Sequence, residues 1–529
     1  MKKFIGEWAP SIVALITIAL FSFGLRLVNL TKLPVFADEA IYVRWAQVMK
    51  AEPTLRFLPL SDGKPPLYMW ILMPFLKFIS DPLFAGRFVS VLAGVGTLAG
   101  VSILSYILFR SKKSAIMAAL IYAVSSYTFF FDRMALVDSL LSMLCIWIII
   151  FSALLAKHRS LNVSMFMGFV LGAALLTKAP ALFFTILIPS SAFLVKFKNK
   201  GNARAFLLLK LTGYWAVAWG IGYGMYNALR LGPNFHLLSS RNYDYVYPVS
   251  HMLLSPLDPF LPYFDRAVEW IRLLGPSSLL LLSGLAAVFH FRKYSKEVIF
   301  LLLWSFFPML AQAEFAKVFT ARYILFTIPP LIVLASMAFA DAKNKTVNKA
   351  GFAIFGLGAA YSLWVNLLLI TKPVQAPLPS SEHSGYFSEW TAGDGIYETS
   401  LLVRQLLTDY PDKHIVIGTE GYFGTLPDGL QMYLEGEKRV TIFGMGLGIG
   451  EVVSSLVESK NAGNITLLVA NSSRLLIREE QFSEHGLRVL YKTLKEPRQK
   501  DTHEFLNFGP VDTYYVLEVV EVIDKKTLE

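Results

Sequence analysis

Charge is scarce in this chain, and cysteine is almost missing. Only 16% of the 529 residues are Asp, Glu, Lys or Arg, against 55% hydrophobic, and the mean hydropathy is positive. A soluble protein of this length could not hide so much apolar surface, so part of its solvent is lipid. The single cysteine, Cys145, sits in an apolar run, which excludes an intramolecular disulfide and makes a cysteine-based metal site implausible. No spacing of His, Cys and acids resembles a metal-binding motif, so no tightly held metal is expected. Acids are also the minority charge, 38 against 49 Lys and Arg, for a formal net charge of +11. The basic excess clusters in short loops between apolar runs. Membrane orientation explains it better than a nucleic-acid partner does.

Apolar runs long enough to cross a hydrocarbon core recur over the first two-thirds of the sequence. Lys2 and Lys3 precede the first, Ile12 to Val28, which is rather long for a signal peptide and is followed by more spans, so it is expected to be a retained helix. The basic loops Arg110–Lys113, Lys157–Arg159, Lys196–Arg204, Arg292–Lys296 and Lys343–Lys349 read as cytoplasmic. Together with the N-terminus inside, they give about eleven spans and leave the chain after Ile370 on the outer face. Val163 to Val195 is flanked by basic loops yet short for two full spans. With Lys178-Ala-Pro180 in its middle, it reads as a hairpin of two short helices or a re-entrant loop.

Composition shifts near Lys372–Pro379, a proline-punctuated stretch. The expected division is therefore a transmembrane domain over 1–371 and a second domain over 372–529. In the latter, strand-like runs at His414–Ile417, Val440–Phe443, Thr466–Val469, Leu487–Tyr491 and Tyr514–Val520 alternate with helical stretches. That pattern predicts a small α/β domain with a largely parallel sheet. Its Gly-rich segments, 418–421 and 444–450, lack dinucleotide-site spacing and read as tight turns.

Two outside segments, about Thr31 to Arg87 and Asn227 to Gly275, are longer than a connection requires. The first carries Asp38-Glu39 directly after the first span, adjacent carboxylates of a kind that suits a general base. A helix cap or a merely solvated loop start is the plainer reading. Ile41, Trp45 and Val48 follow at helical spacing, with Tyr42 four residues after Asp38, as in an amphipathic helix on a membrane surface. Further along the loop, Asp62-Gly-Lys-Pro-Pro66 makes a rigid turn that would present Lys64 as a point charge for a phosphate, or simply precede a helix start.

Arg133 and Asp138 stand at the outer beginning of a later span, where ionisable groups are functional by default. An interhelical ion pair explains Asp138 equally well. Glu314, Lys317 and Arg322-Tyr323 lie between two late spans, where Arg322 could clamp a phosphate and Tyr323 could belong to an interfacial aromatic belt. The second long loop offers Arg241, Tyr243, Asp244 and His251. A lone histidine such as His251 is more often a structural hydrogen-bonding group than a ligand.

The acid pair after the first helix, the Lys-Pro-Pro-Leu turn, the Arg133…Asp138 helix start and Arg322-Tyr323 recur together in one order on one side. In this the chain resembles the protein O-mannosyltransferase and aminoarabinose transferase superfamily, the large GT-C class that uses polyprenyl-phosphate sugars, from about Ala14 to Met337. The resemblance implies a GT-C type polytopic α-helical membrane protein with an extracytoplasmic α/β domain, which its placement on the same side as the acids makes an acceptor-recognition or positioning module. It implies Asp38 as the catalytic acid and Glu39 as the second acid, which orients or assists it. Lys64 then contacts the donor phosphate, and Arg133 and Arg322 steady the donor or the fold. Tyr42, Asp138, Arg241 and His251 are carried as supporting positions, the likeness thinning past Asn227.

The implied reaction moves a mannose-like sugar from a polyprenyl phosphate to a hydroxyl of a protein, glycolipid or polysaccharide on the outer face, with inversion and no tightly bound cofactor. A multi-spanning transporter or lipid flippase with an outer ligand-binding domain is the alternative. It would more usually show midplane helix breaks and inverted repeats, and no convincing repeat is present. A structural or sensor protein would explain the C-terminal region but not the grouped acids and lysine.

Overall fold

The computed structural model describes residues 2–195, 202–275, 277–341, 345–500 and 502–520. The basic loop Lys196–Arg204 and the start of Lys343–Lys349 lie largely outside the described residues. By internal contacts the chain forms two compact units. A membrane unit comprises Met1–Leu30, Glu52–Ile71 and Arg87–Pro379, and a sheet unit comprises Thr31–Ala51, Leu72–Gly86 and Ser380–Glu529. Two pieces of the first long loop therefore group with the C-terminal residues.

Seven helices among the described residues are long and apolar enough to cross a membrane: Trp8–Leu27, Pro82–Phe109, Val137–His158, Ala205–Leu231, Ser277–Phe315, Ala321–Phe339 and Lys345–Thr371. The chain is an integral membrane protein. Seven differs from the eleven expected for three physical reasons, the first being that the run after Lys113 is broken at Ser125 into Lys112–Val124 and Ser126–Phe131, neither long enough alone. The 39-residue helix Ser277–Phe315 is kinked at Tyr294, whose φ of −127° is not helical, so one long element holds two apolar stretches. Leu161–Leu175 and Ala179–Leu194 are shorter apolar helices that meet at Leu176–Lys178, the hairpin break read from Lys178-Ala-Pro180.

The first helix, α1 (Lys2–Leu27), ends on carbonyls that need donors. Arg133 Nη2 donates to the carbonyls of Val28 and Asn29 at 2.9 and 3.0 Å, and Arg87 Nη1 donates to that of Leu30 at 2.8 Å. One turn earlier, Arg26 Nε donates to Asp132 Oδ2 at 3.0 Å, and the Tyr122 hydroxyl donates to the same oxygen. A Cβ on Gly94 would fall 2.4 Å from that carboxylate, so the helix backbone has been brought against it. These buried charges are partnered, as a low-dielectric setting requires.

The sheet unit begins with α2 (Ala37–Ala51). Here the structure differs from a surface-lying amphipathic helix: ten of its residues are buried, including Ala40, Tyr42, Val43 and Trp45. The cause is packing against the C-terminal part of the same unit. Arg44 Nε donates to Gln431 Oε1 and Gln47 Nε2 to the Met432 carbonyl, while Lys50 pairs with Glu435 at 3.7 Å. These partners lie on or just after the short helix Asp428–Tyr433.

All five predicted strands are present: β1 Ile415–Thr419, β2 Val440–Gly444, β3 Ile465–Asn471, β4 Leu487–Leu494 and β5 Thr513–Val519, in the order β2-β1-β3-β5-β4. The largely parallel expectation is corrected: β2–β1 and β1–β3 are parallel, β3–β5 and β5–β4 antiparallel. Parallel neighbours need a crossover, usually a helix. Asp428–Tyr433 and Ser454–Asn461 lie on the connections before β2 and β3, and β5, inserted between β3 and β4, is the one strand that runs the other way. β3 is buried along nearly its whole length, as a strand covered on both faces is.

Candidate functional site

The adjacent acids at the start of α2 have unlike surroundings. Phe36 precedes the helix, and its amide donates to Glu39 Oε2 at 3.0 Å, the reaching-back half of a capping box. Glu39 is 0% exposed, and this contact fixes the helix start. Asp38, one residue earlier in the first turn, is only half-buried. The helix dipole favours negative charge at both positions. Before the helix, Phe36 bridges Ala392, the Ala37 amide donates to the Thr391 carbonyl at 3.1 Å, and Phe36 stacks on Tyr386 at 4.6 Å. The segment entering Asp38 is thus held as an edge of the sheet unit. Tyr42 is buried one turn on, 6.2 Å from Trp45.

In the membrane unit, Lys64 and Arg241 come from loops far apart in sequence and meet at one carboxylate. Asp62 Oδ2 lies 3.2 Å from Lys64 Nζ, and Asp62 Oδ1 lies 3.3 Å from Arg241 Nη2. Arg241 Nη1 also reaches Asp244 at 3.2 Å, and its guanidinium sits 5.2 Å from the Tyr245 ring. Gly63 makes this approach possible. Its φ is +62°, and a Cβ there would lie 2.6 Å from Arg241 Cβ and 2.8 Å from the Leu237 carbonyl oxygen. Gly63→Ala is expected to lose ~1–3 kcal/mol of stability, read by thermal melting.

A second group was only half visible in the sequence. Asp138 is paired by Lys178, Nζ to Oδ1 at 2.6 Å, from the break of the short hairpin. Lys178 Nζ also lies 4.2 Å from the centre of the Tyr323 ring, and the Arg322 guanidinium lies 5.5 Å from the same ring. The interhelical ion pair considered for Asp138 is therefore what forms. Lys178 was missed as a site residue, although a lysine inside an apolar stretch signals a required counter-charge.

Arg133 spends one guanidinium nitrogen on the end of α1 and stacks over Phe129 at 4.8 Å, a fold-holding geometry. His251 stacks on Tyr247 at 4.1 Å in the second long loop. That loop is bound to the end of the kinked helix: the Tyr247 amide donates to the Phe315 carbonyl, the Lys317 amide to that of Tyr245, and Lys317 Nζ to that of Tyr243. Glu314, just before, is buried. Among the described residues no group of three or more His, Cys, Asp or Glu is arranged to hold a metal ion.

The sheet unit holds three acids whose carboxyls are pushed up to about 6, all chiefly by burial: Asp394, Glu420 and Asp428. Glu420 accepts from the Asn471 amide and side chain at 2.6 and 2.8 Å, and Asp428 from the Gly424 amide at 2.7 Å. Each binds its proton more tightly folded than unfolded, where carboxyls titrate near ~4. Their contribution is full below ~4 and is lost as pH rises through about 6, each of order 2 kcal/mol. The melting temperature is thus expected to be higher near pH ~5 than near ~7.5, with Glu420→Gln narrowing the gap. An unchanged or reversed pH dependence in scanning fluorimetry would contradict this.

Residues 63–218 match the model of a family described as dolichyl-phosphate-mannose-protein mannosyltransferase. The structure resembles that of ArnT from Cupriavidus metallidurans bound to undecaprenyl phosphate, with a TM-score of 0.53 and 14% identity, covering 95% of this chain and 97% of that one. It also matches the archaeal oligosaccharyltransferase AglB from Archaeoglobus fulgidus, in complex with an inhibitory peptide and a dolichol-phosphate, with a TM-score of 0.48, 12% identity, and coverage of 88% of this chain and 70% of that one. No curated protein matches the sequence.

Proposed function

We propose that this chain is a glycosyltransferase of the GT-C superfamily, a reading supported by its fold and by the family match over residues 63–218, and that it transfers a sugar from a polyprenyl-phosphate donor to an acceptor hydroxyl at the outer membrane face. The observation that carries the reading is the division of the acid pair. Glu39 is consumed in fixing the helix start while Asp38 stands half-buried beside it. That is the arrangement a held general base needs, one carboxylate to position and one to react.

In the proposed step the acceptor O–H gives its proton to Asp38 as its oxygen forms a bond to the anomeric carbon. The bond from that carbon to the phosphate oxygen breaks, and polyprenyl phosphate leaves with the electron pair. One displacement inverts the anomeric configuration. Lys64 and Arg241 counter the charge on the departing phosphate, and Arg322 with Lys178 supplies a second cationic group. The sugar is taken as mannose-like from the matched family's description, and the sheet unit as the acceptor-recognition part. The transported-solute alternative gives no reason for a carboxylate held in this way.

The test is turnover of a synthetic polyprenyl-phosphate mannose by purified protein in nanodiscs. Release of polyprenyl phosphate coupled to a product of inverted configuration supports the reading. Failure to bind any polyprenyl phosphate, or transport of an unmodified solute, overturns it.

A further inference from the structure

A cavity of about 280 Å³ opens within the sheet unit, beside the segment that leads into α2. It lies just under the ~300–1,000 Å³ typical of drug-sized ligand sites, a size suited to one small polar molecule. Its lining residues include Lys32, Asp81, Asp394, Glu398, Tyr397 and Tyr433.

The cavity is built by the fold rather than left by loose packing. Gly393 and Gly395 flank Asp394. A Cβ on Gly393 would fall 2.4 Å from Val35 Cγ1, and Gly395 has a φ of +87° with Tyr514 2.6 Å from where its Cβ would be. Both glycines let this loop close against its neighbours and leave Asp394 at the wall. Asp394 itself is half-buried. Asp81 is partly used, accepting from the Phe84 amide at 3.0 Å. Tyr397 and Tyr433 meet edge to face at 5.3 Å, and Tyr397 is half exposed.

The geometry points to this cavity as a saccharide subsite, in which one sugar ring of the acceptor is held by hydrogen bonds to Asp394 and Glu398 with a tyrosine ring against its C–H face. This deepens the proposed transferase reading and rests on it for the word acceptor. Vicinal hydroxyls offer several donors to the carboxylates and several acceptors to the Lys32 ammonium and tyrosine hydroxyls. An acyl chain would find too polar a wall. A divalent cation would find no converging set of three ligands among the described residues. Val35, on the cavity wall, is three residues before Asp38, a span of at most ~11 Å of chain. A sugar seated here is therefore close enough for a neighbouring hydroxyl of the same oligosaccharide to reach that carboxylate.

The test uses the full-length protein in nanodiscs, with the methyl glycosides of glucose, mannose and galactose as probes in saturation-transfer NMR. Tyr397→Ala and Glu398→Gln alter exposed side chains, and melting curves check their folding. At least one glycoside is expected to bind, and each variant to weaken it about tenfold, the loss for one hydrogen bond to a charged group or one stacked face. Polyprenyl phosphate binding, measured on the same samples, should not change. No glycoside binding, equal binding by both variants, or uptake of lysine methyl ester or Mn²⁺ in its place overturns the subsite. If polyprenyl phosphate binds while the glycosides do not, only the subsite fails; if the lipid itself does not bind, the transferase reading fails.

Discussion

Asp38→Asn is expected to lower kcat by about 10³-fold while leaving the donor dissociation constant within a factor of two or so. The amide fits the same volume and can still receive hydrogen bonds through its carbonyl oxygen, so the start of α2 should survive. What it cannot do is take the acceptor proton as the new bond forms. Glu39→Gln is the informative companion. Because Glu39 Oε2 accepts from the Phe36 amide at 3.0 Å and is fully buried, its loss should appear first as a lowered melting temperature. Any fall in kcat would follow from a displaced Asp38. If Glu39→Gln abolished turnover with the fold intact while Asp38→Asn turned over normally, the two roles would have to be exchanged.

Lys64→Ala is expected to raise the donor KM about 30- to 100-fold, the loss of one charge-assisted contact to a phosphate. Because Lys64 also pairs with Asp62 at 3.2 Å, the lysine could owe its position to the carboxylate alone. Asp62→Asn separates the two cases. If Lys64 and Arg241 serve the phosphate, removing the anion between them leaves donor binding unchanged or tighter. If the three residues form only a structural ion-pair group, Asp62→Asn and Lys64→Ala cost similar stability and neither moves KM more than the other. A double-mutant cycle between Lys64 and Arg241, read in donor affinity, then measures whether the two cations act on one group.

Local periodicity made much of this architecture readable. The five strands, the helix at Asp38 and the hairpin break at Lys178 all rest on patterns within a dozen residues. Pairing across the fold was less visible. Asp62 with Arg241, Asp138 with Lys178 and Arg133 with the carbonyls after α1 each join residues set by tertiary packing, for which the sequence offers only an unpaired charge as a hint. The sheet's mixed direction was hidden for a similar reason. Strand spacing looked alike throughout, and nothing local marks β5, which lies between β3 and β4 in the sheet, as the one reversed strand. Glu39 was read as a partner acid, but its burial and its bond to Phe36 depend on a neighbouring bridge, Phe36 to Ala392, that joins residues far apart in the chain.

The contacts of α2 with residues 431, 432 and 435 bear on how this protein can be divided or recombined. Cutting after Pro379 would detach more than a trailing module, because Arg44, Gln47 and Lys50 would lose the partners that hold the helix carrying Asp38. A chimera that exchanges the C-terminal region alone would join a foreign bed to a native helix. The unit that travels intact is discontinuous: residues 31–51 and 72–86 would have to be transplanted with residues 380–529.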